Sequence, residues 1–210
     1  MNENQNEQIN QEAVEEIPSA APGKQSAISN LIDYVEIFVI AICAVILLFT
    51  MLVRTCTVDG DSMNKTLLDQ ERLLISDAFY TPERQDIIVF HNNDGTATGI
   101  NNKPLVKRVI GVSGDTVTID NIAHTVTITD KNGNTQVLNE DYVFLDPTRV
   151  DPFYGVQEYV VPEGKLFVMG DNRRSSLDSR YSTIGFVDER SVLGKVYFRI
   201  SPISEFGFVK

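Results

Sequence analysis

A serine and a lysine stand in settings that suit nucleophilic catalysis. Ser62 lies in the segment Gly60-Asp61-Ser62-Met63, where glycine lets backbone groups approach a reacting centre closely. A serine hydroxyl needs a base to take its proton. Lys107 stands among apolar, β-prone residues, and burial would lower its pKa and free the neutral amine for that task. Taken singly, Ser62 also fits an ordinary turn and Lys107 an edge strand.

Histidine is the more usual partner of a catalytic serine, and the chain has two, His91 and His124. His91 ends a predicted strand and His124 lies in a predicted hairpin, so either residue could belong to a triad. Neither has further metal-ligating residue types nearby at a suitable spacing. We therefore expect no metal and no organic cofactor.

Composition bounds the class of protein. The net charge of −11 argues against a nucleic-acid-binding protein, which presents basic side chains to phosphates. The two cysteines, Cys43 and Cys56, would lie ~20 Å apart on a continuous helix, which is too far for a disulfide. The length of 210 residues allows one domain, or one domain with a small insertion.

The uncharged apolar run from Ile37 to Val53 predicts a membrane-spanning helix. With the apolar residues ahead of it, the run reaches ~22 residues, or ~33 Å as a helix, which crosses a bilayer. The alternatives are a buried core helix, a cleavable signal peptide and a lipoprotein site at Cys56. Lys24 and Arg54 flank the run on opposite sides, so the positive-inside rule gives no orientation.

After Cys56 the hydrophobic pattern has a period of two with turn residues between, which predicts a mostly β domain. The segment Lys131–Asn134, with its Asn-Gly pair, is typical of a hairpin turn. Residues 115–164 are expected to form an inserted β sub-domain. The predicted strands are Arg72–Ser76, Asp86–Phe90, Leu105–Val112, Thr116–Asp120, Thr125–Thr129, Thr135–Leu138, Glu158–Val161, Leu166–Met169 and Val192–Ile200.

Four segments stand out by their order and spacing. They are Gly60-Asp-Ser-Met-x-x-Thr-Leu, Arg84-Gln-Asp-Ile-Ile-Val-Phe, Lys107-Arg-Val-Ile-Gly-x-x-Gly-Asp and Gly170-Asp-Asn-Arg-x-x-Ser-x-Asp-Ser-Arg. Together they resemble the bacterial type I signal peptidases of family S26, in the short Gram-positive form with one membrane helix. The resemblance covers about residues 35–202. It implies a Ser-Lys serine protease with a mostly β, signal-peptidase or repressor-protease-like fold and one N-terminal transmembrane helix.

The resemblance implies a role for each matching residue. Ser62 is the nucleophile, Lys107 the general base, and Ser176 a hydroxyl that orients the lysine. The Ser62 amide, with the backbone near Gly60, holds the oxyanion. The candidate walls of shallow substrate pockets are Val58, Met63, Leu67 and Val106. The residues expected to brace the site through ion pairs are Asp171, Arg173, Asp178 and Arg180.

The implied substrates are secretory preproteins, bound as an added strand and cut after an Ala-x-Ala-like sequence. The other implied partners are the phospholipid membrane and the protein-export translocon, and no nucleic acid is expected. The expected organisation is a disordered acidic cytoplasmic tail over residues 1–30, a transmembrane helix over 31–54 and an extracytoplasmic catalytic domain over 55–210. This arrangement places the protein in the plasma membrane as a single-pass protein.

Two positions depart from the family pattern, because Lys65 and Ser113 stand where proline is usual. We expect softer loops there, and a charge near the site at Lys65. Two other functions are open. A self-cleaving repressor or mutagenesis protein shares the dyad but is soluble, and a membrane-anchored β module would bind a partner without needing a nucleophile and a base.

Overall fold

One long α-helix opens the part of the chain that the structure describes. The structure is a computed structural model and describes residues 27–92 and 103–209. Helix α1 runs from Ala27 to Leu52, so residues 27–30, predicted as tail, are helical, and the rest of that tail lies outside the described residues. Within α1, Ile28–Thr50 is apolar and long enough to cross a membrane. The chain divides into two compact units, one ending at Ile46 and one beginning at Leu47.

The larger sheet has eight strands in the order β1-β2-β11-β3-β4-β9-β10, and β12 pairs with β11. Strand β4 lies between β3 and β9, so Lys107 is not on an edge strand and that alternative is wrong. The strands of this sheet are β1 (Arg54–Thr57), β2 (Arg72–Ser76), β3 (Ile87–His91), β4 (Pro104–Gly111), β9 (Lys165–Met169), β10 (Val187–Asp188), β11 (Val192–Ser201) and β12 (Gly207–Phe208).

The smaller sheet has four strands in the order β7-β6-β5-β8. They all lie within the predicted insertion, 115–164, although its status as a separate sub-domain stays a prediction. The turn at Lys131–Asn134 joins the antiparallel strands β6 and β7, which confirms the predicted hairpin. The strands are β5 (Thr116–Asp120), β6 (Thr125–Thr129), β7 (Thr135–Val137) and β8 (Val156–Val160).

The mostly β fold with one apolar N-terminal helix is confirmed. Every predicted strand is present, three with the predicted bounds and the others with an end shifted by one or two residues. Strands β1, β10 and β12 were not predicted, because they hold only two to four residues and such short segments show no alternation.

Three buried clusters fill the β domain. The first lies under the Ser62 loop and includes Val58, Met63 and Leu67 together with residues of β2, β3 and β11. The second joins the two sheets, because it contains residues of β4 and β9 as well as of β5 and β6. The third is built on β3, β4 and β9. Lys107 is therefore carried by a strand that contributes to all three clusters.

Candidate active site

The loop between β1 and β2 presents Ser62. Its apolar residues Val58, Met63 and Leu67 are each at most 3% exposed and anchor it in the first cluster. Two main-chain hydrogen bonds close the base of the loop. The Val58 N–H donates to the Glu71 carbonyl, and the Gln70 N–H donates to the Val58 carbonyl. Ser62 itself is half-buried. Buried apolar residues thus anchor the polar turn that presents the Ser62 hydroxyl near the protein surface.

Lys107 reaches Ser62 from the middle of β4. Its Nζ donates a hydrogen bond to Ser62 Oγ at 2.7 Å and another to the Val106 carbonyl at 2.9 Å. Lys107 is only 3% exposed. Burial lowers the pKa of Lys107 to about 8, although the charges of Asp178 and Asp171 partly oppose this. About a tenth of this amine is therefore neutral at pH 7, far more than for an exposed lysine, and a neutral amine can accept a proton.

The residue after Lys107 is buried as well. In a strand, neighbouring side chains face opposite ways, so Arg108 points away from Lys107. Arg108 is 2% exposed and forms two hydrogen bonds with Asp171, at 2.8 and 2.7 Å. The ring of Tyr142 lies 3.9 Å from its guanidinium carbon, and Thr66 Oγ1 donates to Asp171 at 2.5 Å. Arg108 therefore needs no water, because Asp171 compensates its charge.

The expected bracing ion pairs are present around the segment from residue 170 to 180. Arg180 Nε donates to Asp178 at 2.8 Å, and its Nη2 donates to the Arg173 carbonyl at 2.7 Å. Burial raises the pKa of Asp178, but the charge and hydrogen bonds of Arg180 outweigh it and hold that pKa below its usual range. Arg173 pairs with Glu140, which the sequence analysis missed, as it missed Tyr142. Both residues lie in a loop with no hydrophobic period to mark it.

Ser176 does not make the predicted contact with Lys107. Its buried side-chain oxygen makes no hydrogen bond with Lys107, whose second bond goes to the Val106 carbonyl instead, and its interaction with Asp178 helps to lower the pKa of that carboxyl. Ser176 packs against Gly170, where an added Cβ would come within 2.5 Å of both the Ser176 Cβ and the Ser62 carbonyl oxygen. Gly170 thus allows the 170–180 segment to approach the back of the Ser62 loop.

Gly60 does not offer its amide to a substrate in this structure. Its N–H donates to the Asp69 carboxylate at 2.8 Å, and this bond lowers the pKa of Asp69. The φ angle of Gly60 is 99°, which favours glycine. Gly60 therefore shapes the loop, while the Ser62 amide keeps the expected oxyanion role as a prediction.

The four candidate pocket residues lie together in the first cluster. Met63 and Leu67 are 1% and 0% exposed, so they do not line an open pocket in this conformation. Their role is to fill the core. Val58 and Val106 are 3% and 8% exposed. Val106, which precedes Lys107 in β4, is therefore the most exposed of the four. A pocket wall at Val106 stays a prediction.

Neither histidine bonds to Ser62, whose hydroxyl contacts Lys107. His91 ends β3 and lines a cavity of about 340 Å³ with Phe90, Lys165 and Asp188. His124 is exposed in the β5–β6 turn, with a φ of 54°. Among the described residues, no three His, Cys, Asp or Glu side chains form a group that could hold a metal ion.

The two departures from the family pattern have different surroundings. Lys65 is exposed, and its Nζ lies 4.8 Å from the centre of the Phe144 ring. The Ser113 hydroxyl donates to the Pro162 carbonyl at 3.2 Å and accepts from the Gly164 N–H at 2.6 Å. The Ser113 hydroxyl therefore links its loop to the segment from Pro162 to Gly164, and the expected softening stays a prediction.

Comparison with known proteins gives consistent results. The model of the family described as signal peptidase, peptidase S26, matches residues 31–201. The chain is 32% identical over 190 residues to signal peptidase IB of Staphylococcus aureus strain MRSA252, covering 85% of this chain and 94% of that one. It is 33% identical over 180 residues to signal peptidase I of Bacillus licheniformis, covering 84% and 92%. A crystal structure of a signal peptidase I from Enterococcus faecalis V583 is 34% identical, covers 55% of this chain and 97% of that chain, and has a TM-score of 0.41.

Proposed function

The chain belongs to the signal peptidase family, peptidase S26, and we propose that it is a membrane-anchored serine endopeptidase that removes N-terminal signal peptides from secreted preproteins. The coarser part of this function, removal of signal peptides by a serine protease, follows from the family. The identity of the nucleophile and base, the sequence preference and the anchoring are our proposals.

The observation that carries the mechanism is the 2.7 Å contact between Lys107 Nζ and Ser62 Oγ, made by a buried lysine. Neutral Lys107 takes the hydroxyl proton as Ser62 Oγ attacks the scissile carbonyl carbon. The Ser62 N–H stabilises the negative oxygen that forms. When the tetrahedral intermediate collapses, Lys107 gives its proton to the leaving amine. Lys107 then takes a proton from a water that attacks the acyl-enzyme carbonyl, and returns this proton to Ser62 Oγ as the ester bond breaks.

The substrate lies as an added strand beside the first half of β4, where residues 104–107 pair with β3 alone, and beside the segment around Val58. Main-chain hydrogen bonds hold such a peptide without reading its sequence. Preference for small residues at the first and third positions before the cut then depends on shallow contacts, of which Val106 is one. The position of Val106 next to Lys107 in β4, with 8% of its surface still exposed, supports this placement.

Helix α1 anchors the enzyme where its substrates emerge. Its apolar stretch of 23 residues has the length that a bilayer requires. We place residues before it in the cytoplasm and the β domain outside, in the plasma membrane. Tethering raises the effective concentration of the protease at cut sites near the bilayer surface. Preproteins, the lipid membrane and the export translocon are its partners in this proposal.

A preprotein cleavage assay in detergent tests the proposal. The wild type is expected to make one cut after an Ala-x-Ala-like site, and Ser62→Ala and Lys107→Ala are each expected to reduce the rate by at least ~10³-fold. Lys131→Ala, in the exposed β6–β7 turn, is the matched control and should cleave normally. Cleavage that survives Lys107→Ala would show that the base is another group, with His91 and His124 tested next.

A further inference from the structure

One residue that the proposed mechanism does not use, Asn172, holds the backbone on both sides of Ser62. Its side-chain Nδ2 donates a hydrogen bond to the Asp61 carbonyl at 3.1 Å. Its backbone N–H donates to the Ser62 carbonyl at 3.0 Å. Asn172 is fully buried. The two peptide units that meet at the Ser62 Cα are therefore both tied to the same residue.

The direction of the Ser62 N–H follows from the first of these bonds. The Asp61–Ser62 peptide is trans, and in a trans peptide the C=O and N–H bonds point in opposite directions. The Asp61 carbonyl oxygen accepts a hydrogen bond from Asn172 Nδ2 and a second one from the Asn64 N–H at 3.2 Å. Because this carbonyl points towards Asn172, the Ser62 N–H points away from it. No described residue accepts a hydrogen bond from this N–H, so it is available to a substrate oxygen.

Asn172 is itself held from both sides. The Phe144 N–H donates to the Asp171 carbonyl at 2.8 Å, and the Arg173 N–H donates to the Phe144 carbonyl at 3.0 Å. The Asp171 side chain is locked to buried Arg108. The Asn172 Oδ1 is buried without a partner, so only the donor half of the side-chain amide is used. A group fixed in this way can orient its neighbour without moving.

We propose that Asn172 is a positioning residue that aims the Ser62 amide at the oxyanion. The inference rests on the proposed function, because it takes Ser62 as the nucleophile. As the Ser62 Oγ–carbon bond forms, the π electrons of the scissile carbonyl move to its oxygen, and the aimed N–H meets a charge that is absent in the bound substrate. Correct aim therefore stabilises the transition state more than the substrate complex, and acts on kcat more than on KM.

The test compares Asn172→Leu, which nearly keeps the shape of asparagine without a donor, and Asn172→Ser, whose hydroxyl is shorter. Ser175→Ala is the matched control, because Ser175 Oγ binds the Asp61 carboxylate at 3.0 Å and leaves the peptide unit alone. Three quantities are measured in the full-length enzyme: kcat and KM, the affinity for a substrate-like peptide aldehyde, and the affinity of each variant in a Ser62→Ala background for an uncut peptide. Addition of Ser62 to the aldehyde gives a tetrahedral hemiacetal whose oxygen occupies the oxyanion position.

For both Asn172 variants we expect kcat to fall roughly 10- to 100-fold, less than the loss of an entire oxyanion donor, with KM within ~2-fold. Aldehyde affinity should fall by a similar factor, and affinity for the uncut peptide should stay unchanged, which also shows that the variant is folded. Unchanged kcat and aldehyde affinity in either folded variant would overturn the proposal, as would an equal loss of affinity for the uncut peptide. Activity retained by Ser62→Ala alone would instead contradict the proposed function.

Discussion

Arg108 and Asp171 form a two-point ion pair that links the strand carrying Lys107 to the segment behind Ser62. The two bonds measure 2.8 and 2.7 Å, and both side chains are at most 2% exposed. Lys107 precedes Arg108 and Asn172 follows Asp171 in the chain. The pair therefore fixes the distance between the proposed base and the residue that holds the Ser62 backbone.

Removing one partner of this pair is expected to be costly. Asp171→Asn leaves the Arg108 charge buried and uncompensated, which should lower the free energy of unfolding by about 3–5 kcal/mol. Glu205→Gln is the control, because its ion pair with Arg199 is more than half exposed on the glutamate side and should cost at most about 1 kcal/mol. Urea unfolding followed by circular dichroism measures the free energy of unfolding of each variant. Equal losses in the two variants would show that the buried ion pair stabilises the protein no more than the exposed one.

The pH dependence of catalysis should follow the ionisation of Lys107. Its pKa lies near 8 because the amine is buried, and the neutral form is the base, so kcat/KM should rise with pH through about 8 and level off above it. Two pH units below that midpoint, the rate should be ~100-fold lower than the plateau. Initial rates on a synthetic signal-peptide substrate from pH 6 to 10 give the profile. A midpoint between 6 and 7 would point to a histidine.

Gly170→Ala should inactivate the enzyme although the residue carries no chemistry. The new methyl group would overlap Ser176 and come within 2.5 Å of the Ser62 carbonyl oxygen, so the Ser62 loop must shift. A displacement of about 1 Å costs ~10²-fold in rate. Gly207→Ala is the matched control, since nothing lies within 4 Å of its added Cβ. Rates within ~3-fold of wild type for Gly170→Ala would show that the loop tolerates the shift.

Ser113→Ala should lower stability and leave catalysis unchanged. It removes the hydroxyl that bonds the Pro162 carbonyl and the Gly164 N–H, at an expected cost of about 1–2 kcal/mol. Thermal unfolding measures the loss, and the preprotein assay should give wild-type rates. An unchanged unfolding temperature would mean that water replaces the hydroxyl, and that this loop is as soft as the missing proline had suggested.

The sequence by itself determined the elements of this protein. Alternation with a period of two gave strands such as β2, β5 and β6, because only one face of each is buried, whereas β3, β4 and β9 are buried on both faces. A long uncharged run, Ile37–Val53, gave the apolar helix. The spacing of four motifs gave the family, and with it Ser62 and Lys107 as the two residues to test.

The tertiary structure decided what surrounds those two residues. Burial of Lys107 depends on strands far apart in the chain, so no local pattern could give its pKa. Arg108 is buried because Asp171, 63 residues away, compensates its charge. In the same way the Gly60 amide is taken by Asp69, and the backbone of Ser62 is held by Asn172, 110 positions later in the chain. Hydrogen bonds between distant segments leave no periodic trace in a sequence, because they depend on how the sheets and loops pack.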